Sequence, residues 1–160
     1  MKVELQAQPD IAKVWVYQSN EEFTASDLKQ IVEISDFFLE QWESHNLPVK
    51  GSFDVINNRF IIISAYSDED AMCGRAQDAQ MKLIKELEEV VNKKLTDRML
   101  VFYEEQGNIK SFHFSELSNL LSENKITTDT IVYNSLVNTK KDFLDSWECS
   151  LKNTWLSQFV

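Results

Sequence analysis

Three glycines and two prolines in 160 residues leave little material for phosphate-cradling loops or stiff linkers. The glycines stand apart at Gly51, Gly74 and Gly107. Neither a G-x-x-x-x-G-K-S/T loop nor a G-x-G-x-x-G turn can be built from them, which excludes P-loop nucleotide chemistry and a dinucleotide fingerprint. Cysteine is equally scarce. Cys73 and Cys149 cannot make a disulfide framework or a paired-cysteine zinc site, which suits a reducing compartment. The two histidines, His45 and His113, have no partner at ligand spacing, so neither a metal nor any other cofactor is expected. Positive charge is also in deficit. With 16 Lys and Arg against 26 Asp and Glu, the net charge is −10, and the only lysine pairs are Lys93-Lys94 and Lys140-Lys141. Such a field repels phosphate backbones and anionic lipid surfaces, so nucleic acid and membrane are not expected partners. No apolar run approaches the roughly 18 residues of a membrane span. Met1-Lys2-Val3-Glu4-Leu5 carries neither the basic start nor the hydrophobic stretch of a signal peptide, so the expected location is the cytoplasm.

What is present is an alternation of strand and helix patterns. Lys13 to Gln18 reads as a strand that sends Val14 and Val16 to one face and Trp15 and Tyr17 to the other. Thr24 is placed to cap a helix running to about Ser44, with Asp27 in its first turn. Leu28, Ile31, Val32, Phe38, Leu39 and Trp42 form its apolar stripe, while Ile34 and Phe37 fall outside it. Gly51 to Ile56 and Arg59 to Tyr66 pair as a hairpin around Asn57-Asn58. A second helix spans about Arg75 to Asn92 on Leu83, Ile84, Leu87, Val90 and Val91, and a strand follows from Met99 to Tyr103.

This order gives an α+β fold with a ferredoxin-like split βαβ unit over 10–98, followed by a smaller α+β module over 99–160. The strand at 99–104 serves either unit. Phe60 to Ala65 has no polar face. A two-layer fold leaves one sheet face to water, so this strand requires a second cover, from the C-terminal segment or from a second copy of the chain.

Chemistry-bearing clusters are few. Cys73 precedes a helix start, where the dipole favours a thiolate, but Asp68, Glu69 and Asp70 oppose it and the inert reading is preferred. Ser67 to Asp70 lacks the ligand spacing of a calcium loop and reads as a solvated helix entry. Arg59 and Arg98 precede apolar strands and are candidate anion ligands, although pairing with the abundant carboxylates is the simpler expectation. Surplus aromatics point to association with a protein, a peptide or a second copy. Trp15, Tyr17, Phe37 and Tyr133 are the expected contacts. The alternative is a cofactor-free enzyme or small-molecule binder, with a pocket between the modules built on Cys73, Asp78 and Arg59.

Two resemblances bear on these readings. Val101-Phe102-Tyr103, the turn at Glu105 to Asn108, Phe114 to Leu117, Leu120-Leu121, Lys125-Ile126, Asp129 to Val132 and Trp147 together resemble the bacterial GYF-like domains. That resemblance implies a small interaction module that recognises peptides. Ser111-Phe112-His113 departs from the family's small residue and proline before the helix. Over its whole length the chain is also similar to an uncharacterised bacterial family of about this size, some of whose members carry the label ABC transporter ATPase. The similarity rests on Val14 to Asn20 with Phe23, Asn58-Arg59-Phe60, Gly74 with Asp78, Lys85 to Glu88, Asp97-Arg98, Asn134 to Val137, and Trp147 with Trp155 and Phe159. The missing P-loop excludes the ATPase activity that the label implies. Where that family begins a helix with Gly-Cys-Ser-Ile-Asp, this chain reads Gly74-Arg75-Ala76-Gln77-Asp78, with its thiol displaced to Cys73.

Overall fold

The computed structural model describes residues 1–68 and 72–160 and has an α+β architecture; Glu69 and Asp70 of the acidic loop lie outside the described residues. An N-terminal arm leads into β1 (Lys13–Gln18), α1 (Ala25–Gln41), a short hairpin of β2 (Glu43–Ser44) and β3 (Leu47–Pro48), then β4 (Lys50–Ile56), β5 (Phe60–Tyr66) and α2 (Gly74–Val91). The second half comprises β6 (Leu100–Glu105), β7 (Asn108–His113), α3 (Leu117–Ser122), β8 (Ile131–Tyr133), α4 (Lys140–Ser146) and β9 (Glu148–Ser150).

Local chemistry sets the element ends. Thr24 Oγ1 accepts from the Asp27 N–H at 3.1 Å and the Asp27 carboxylate accepts from the Thr24 N–H at 2.9 Å, a reciprocal cap that starts α1. The helix ends three residues earlier than its pattern suggests. Trp42 takes extended backbone, and His45 and Asn46 adopt positive φ to turn β2 into β3. The Trp42 indole N–H then donates to Ala76 O at 2.8 Å, fastening the end of α1 to the start of α2. Asn57 and Asn58, also at positive φ, close the β4–β5 hairpin.

The first sheet has the antiparallel order β1-β5-β4, three strands of the four that a ferredoxin-like unit requires. The expected fourth strand is elsewhere. β6 pairs with β7 and β8 in a second sheet of order β7-β6-β8-β9, so the contested residues 99–104 belong to the C-terminal half. The reason is local: Gln106 and Gly107 at positive φ close a tight β6–β7 hairpin, and this pairing takes the edge that β1 would have used.

Three packed cores follow among the described residues. Under α1 and α2, Tyr17, Ile61, Ile63 and Ala65 meet Ile31, Leu39, Leu83, Ile84 and Leu87. On the opposite sheet face, Val14, Phe60 and Ile62 meet Phe102, Tyr133, Val137, Phe143 and Trp147. The second cover required by β5 is therefore supplied within the chain. A third core inside the C-terminal half joins Val101, Phe112, Leu117, Val132 and Leu151. Val32 and Val90, expected in buried stripes, are exposed. Val32 lies roughly 200° around α1 from Ile34, on the flank turned away from α2.

Close approach explains one glycine. A Cβ at Gly51 would sit 3.0 Å from Leu39 and 3.1 Å from Trp42, so the bare backbone of β4 lets α1 settle onto the sheet. Backbone bonds from Val14 N–H to Asn138 O, Lys140 N–H to Ala12 O and Lys141 N–H to Asp10 O lace the two halves together. Lys140 is buried, with its ammonium donating to Gln6 O at 3.0 Å and Gln8 O at 2.6 Å.

Candidate functional site

The fold turns inward most of the side chains that the sequence offers as contacts. Tyr17 is 8% exposed and donates its hydroxyl to Gln80 Oε1 at 2.6 Å. Burial pushes its phenol pKa up, against the opposing effects of that hydrogen bond and of Arg98. Trp15 packs on Trp42 with ring centroids 6.2 Å apart. Tyr133 is 7% exposed, stacked between Phe60 and Trp147, and burial again raises its pKa. Tyr17 and Tyr133 are core residues and Trp15 is partly buried against the first core, because alternation points them at helices or at the opposing sheet.

Phe37 is the exception. It stands 63% exposed on α1, at the mouth of an open groove of about 790 Å³ between α1 and α2. Ile34, Phe38, Trp42, Ala79 and Leu83 supply its apolar walls. Glu33, Gln41 and Glu43 on one side, and Arg75, Lys82 and Glu86 on the other, give it a polar rim. The groove exists because Ile34, Phe37 and Gln41 form a second stripe beside the one that packs on the sheet. Ala79 on α2 is too short to fill the space opposite.

The anion candidates separate. Arg59 is engaged: its guanidinium lies 5.2 Å above the Phe102 ring and 3.7 Å from Glu22 Oε1, with only 15% of the side chain exposed. Arg98 is exposed and lines a cleft between the two halves of the chain. Cys73, Asp78 and Arg59 are not gathered into that cleft or into the helical groove.

Cys73 nevertheless differs from its sequence expectation. It is the N-cap of α2, its backbone N–H donates to Ser44 Oγ at 3.0 Å, and its thiol lies near the Ser44 hydroxyl and the backbone N–H groups of Ala76, His45 and Arg75. Those donors, the Ser44 hydroxyl foremost, hold its pKa below the ordinary thiol range. Asp68, expected to oppose the thiolate, is paired with Lys50. Burial instead pushes the Cys149 thiol up. Alkylation by iodoacetamide at neutral pH is expected to label Cys73 before Cys149, with Ser44→Ala slowing the Cys73 reaction. Equal rates at the two thiols would refute this account.

Among the described residues, no group of three or more His, Cys, Asp or Glu side chains is arranged to hold a metal ion. Among the same described residues, no helix is long and apolar enough to cross a membrane. No family model, curated protein or solved structure matches the chain.

The site therefore rests on geometry alone. Sequence reasoning marked one wall of the groove, through Ile34 and Phe37 standing off the core stripe. It missed the α2 wall, where Ala79 and Lys82 carry no signal of their own until the two helices are laid side by side.

Proposed function

We propose that this chain acts by protein association rather than catalysis, and that the groove between α1 and α2 is its docking face, occupied by the same face of a second copy. One observation carries the reading: an exposed phenylalanine and an apolar socket lie on the same patch. A patch holding both plug and socket satisfies the condition for a twofold, self-complementary interface, since each Phe37 enters the partner's groove. The rim supports this pairing. Glu33, Glu43 and Glu86 are interspersed with Arg75 and Lys82, so a rotated copy meets both signs rather than the large negative excess of the whole chain.

Burying each phenylalanine contributes about 1.5–3 kcal/mol, and the interface holds two. Sedimentation equilibrium is expected to show a dimer for the parent chain. Phe37→Glu is expected to weaken it at least about a hundredfold while leaving the circular dichroism unchanged, because the side chain takes no part in the core. A parent chain that remains monomeric at several hundred micromolar would overturn the reading.

A further inference from the structure

Two hydrogen bonds fix the way the β1 backbone faces. The Ser19 N–H donates to Arg59 O at 2.9 Å toward β5, and the Val14 N–H donates to Asn138 O at 3.0 Å on the other side. Successive strand residues turn their N–H and C=O groups to opposite edges, so Val14, Val16 and Gln18 all face away from β5. β1 is the outer strand of its sheet. Asn138 satisfies Val14, but among the described residues no strand stands opposite Val16.

A cleft of about 220 Å³ stands there instead, running the length of β1 between the loop at 95–98 and the loop at 135–138. This is where a ferredoxin-like unit would carry its fourth strand. The cleft is closed at both ends. Lys13 and Val14 are bridged to Thr139 and Asn138 at one, and at the other Gln18 Nε2 donates to Leu100 O at 3.1 Å. The span from Val14 to Gln18 is about 13 Å at strand rise, so the slot suits the end of a chain better than a strand running through. Its charge is positive within an acidic molecule. Lys13 and Arg98 line it against Asp97 alone, and Asp97 already accepts the Met99 N–H at 2.9 Å. Neither cation is ion-paired among the described residues.

We propose that the open edge of β1 takes the carboxyl-terminal end of an extended peptide, which adds a short strand beside Val16 and sets its terminal carboxylate against Arg98. Main-chain pairing with Val16 supplies affinity without regard to sequence, and the guanidinium selects a chain end over an internal segment. This site is separate from the helical groove and does not depend on it.

An array of fluorescent tetrapeptides with free carboxyl ends, each matched by its C-terminal amide, tests the assignment by polarisation. A subset of free acids is expected to bind, with their amides at least tenfold weaker, and bound peptide is expected to slow hydrogen exchange at the Val16 amide. Arg98→Gln, an exposed substitution, should reduce binding at least tenfold. Val16→Pro should abolish it, because an edge strand tolerates proline where the N–H faces outward. Phe37→Glu should leave it unchanged, which separates this site from the groove. Absence of any binding acid, equal binding of acids and amides, or binding that survives Arg98→Gln would each overturn the proposal.

Discussion

Phe60→Ala is expected to cost about 3–5 kcal/mol and to lower the stability of both halves of the chain together. Phe60 is fully buried on β5 and points away from the helices. Its ring lies 5.3 Å from Phe102 on β6, 4.8 Å from Tyr133 on β8 and 5.2 Å from Trp147 after α4, with Phe102 and Trp147 both edge-on. Three aromatic partners from the C-terminal half thus converge on one side chain of the first sheet. Truncation removes the ring and leaves a cavity that three rigid aromatic neighbours cannot collapse to fill. Chemical unfolding followed by tryptophan fluorescence and far-UV dichroism checks the result. The two probes should coincide in the parent and in the variant, with the midpoint shifted and the slope retained. A variant in which the helices remain folded while Trp147 becomes exposed would show that the halves are independent, contrary to this packing.

The need for that interface was legible in the sequence, but its solution was not. A strand reading Phe60 to Ala65 without a polar face requires two covers, and Val14 with Val16 opposite Trp15 and Tyr17 says the same of β1. Whether the second cover comes from the same chain depends on β6, β8 and α4, whose placement rests on contacts distant in sequence. The fourth-strand expectation failed for a related reason. Leu100 to Tyr103 is apolar enough for either sheet, and the tight turn at Gln106-Gly107 decides in favour of β7. At the sites the contrast is similar. Phe37 was visible as an apolar residue off its stripe, whereas the donors that lower the Cys73 pKa come from Ser44 and His45 on a hairpin that the helix pattern concealed.

Asp27→Asn is expected to destabilise the protein at pH 7 by about 1.5–3 kcal/mol and to flatten its response to acid. Asp27 carries two duties at once. It completes the cap of α1 through the Thr24 N–H, and it receives Lys93 Nζ at 2.8 Å from just beyond α2, with each side chain only 12% exposed. Lys93 first, and then the capping N–H, hold the Asp27 carboxyl below its ordinary range. A folded-state pKa below the unfolded one means the contribution is complete above about pH 4, where the unfolded carboxyl is ionised. It is lost as pH falls through the lower, folded value. The parent should therefore lose stability more steeply than Asp27→Asn as pH falls below about 4. Lys93→Met should remove part of the same slope, because the cap remains while the ammonium does not. In the double variant the two losses should sum to more than the combined effect, since each single change already breaks the shared pair. Equal acid slopes in parent and Asp27→Asn would show that the ion pair between the two helices contributes nothing to holding them together.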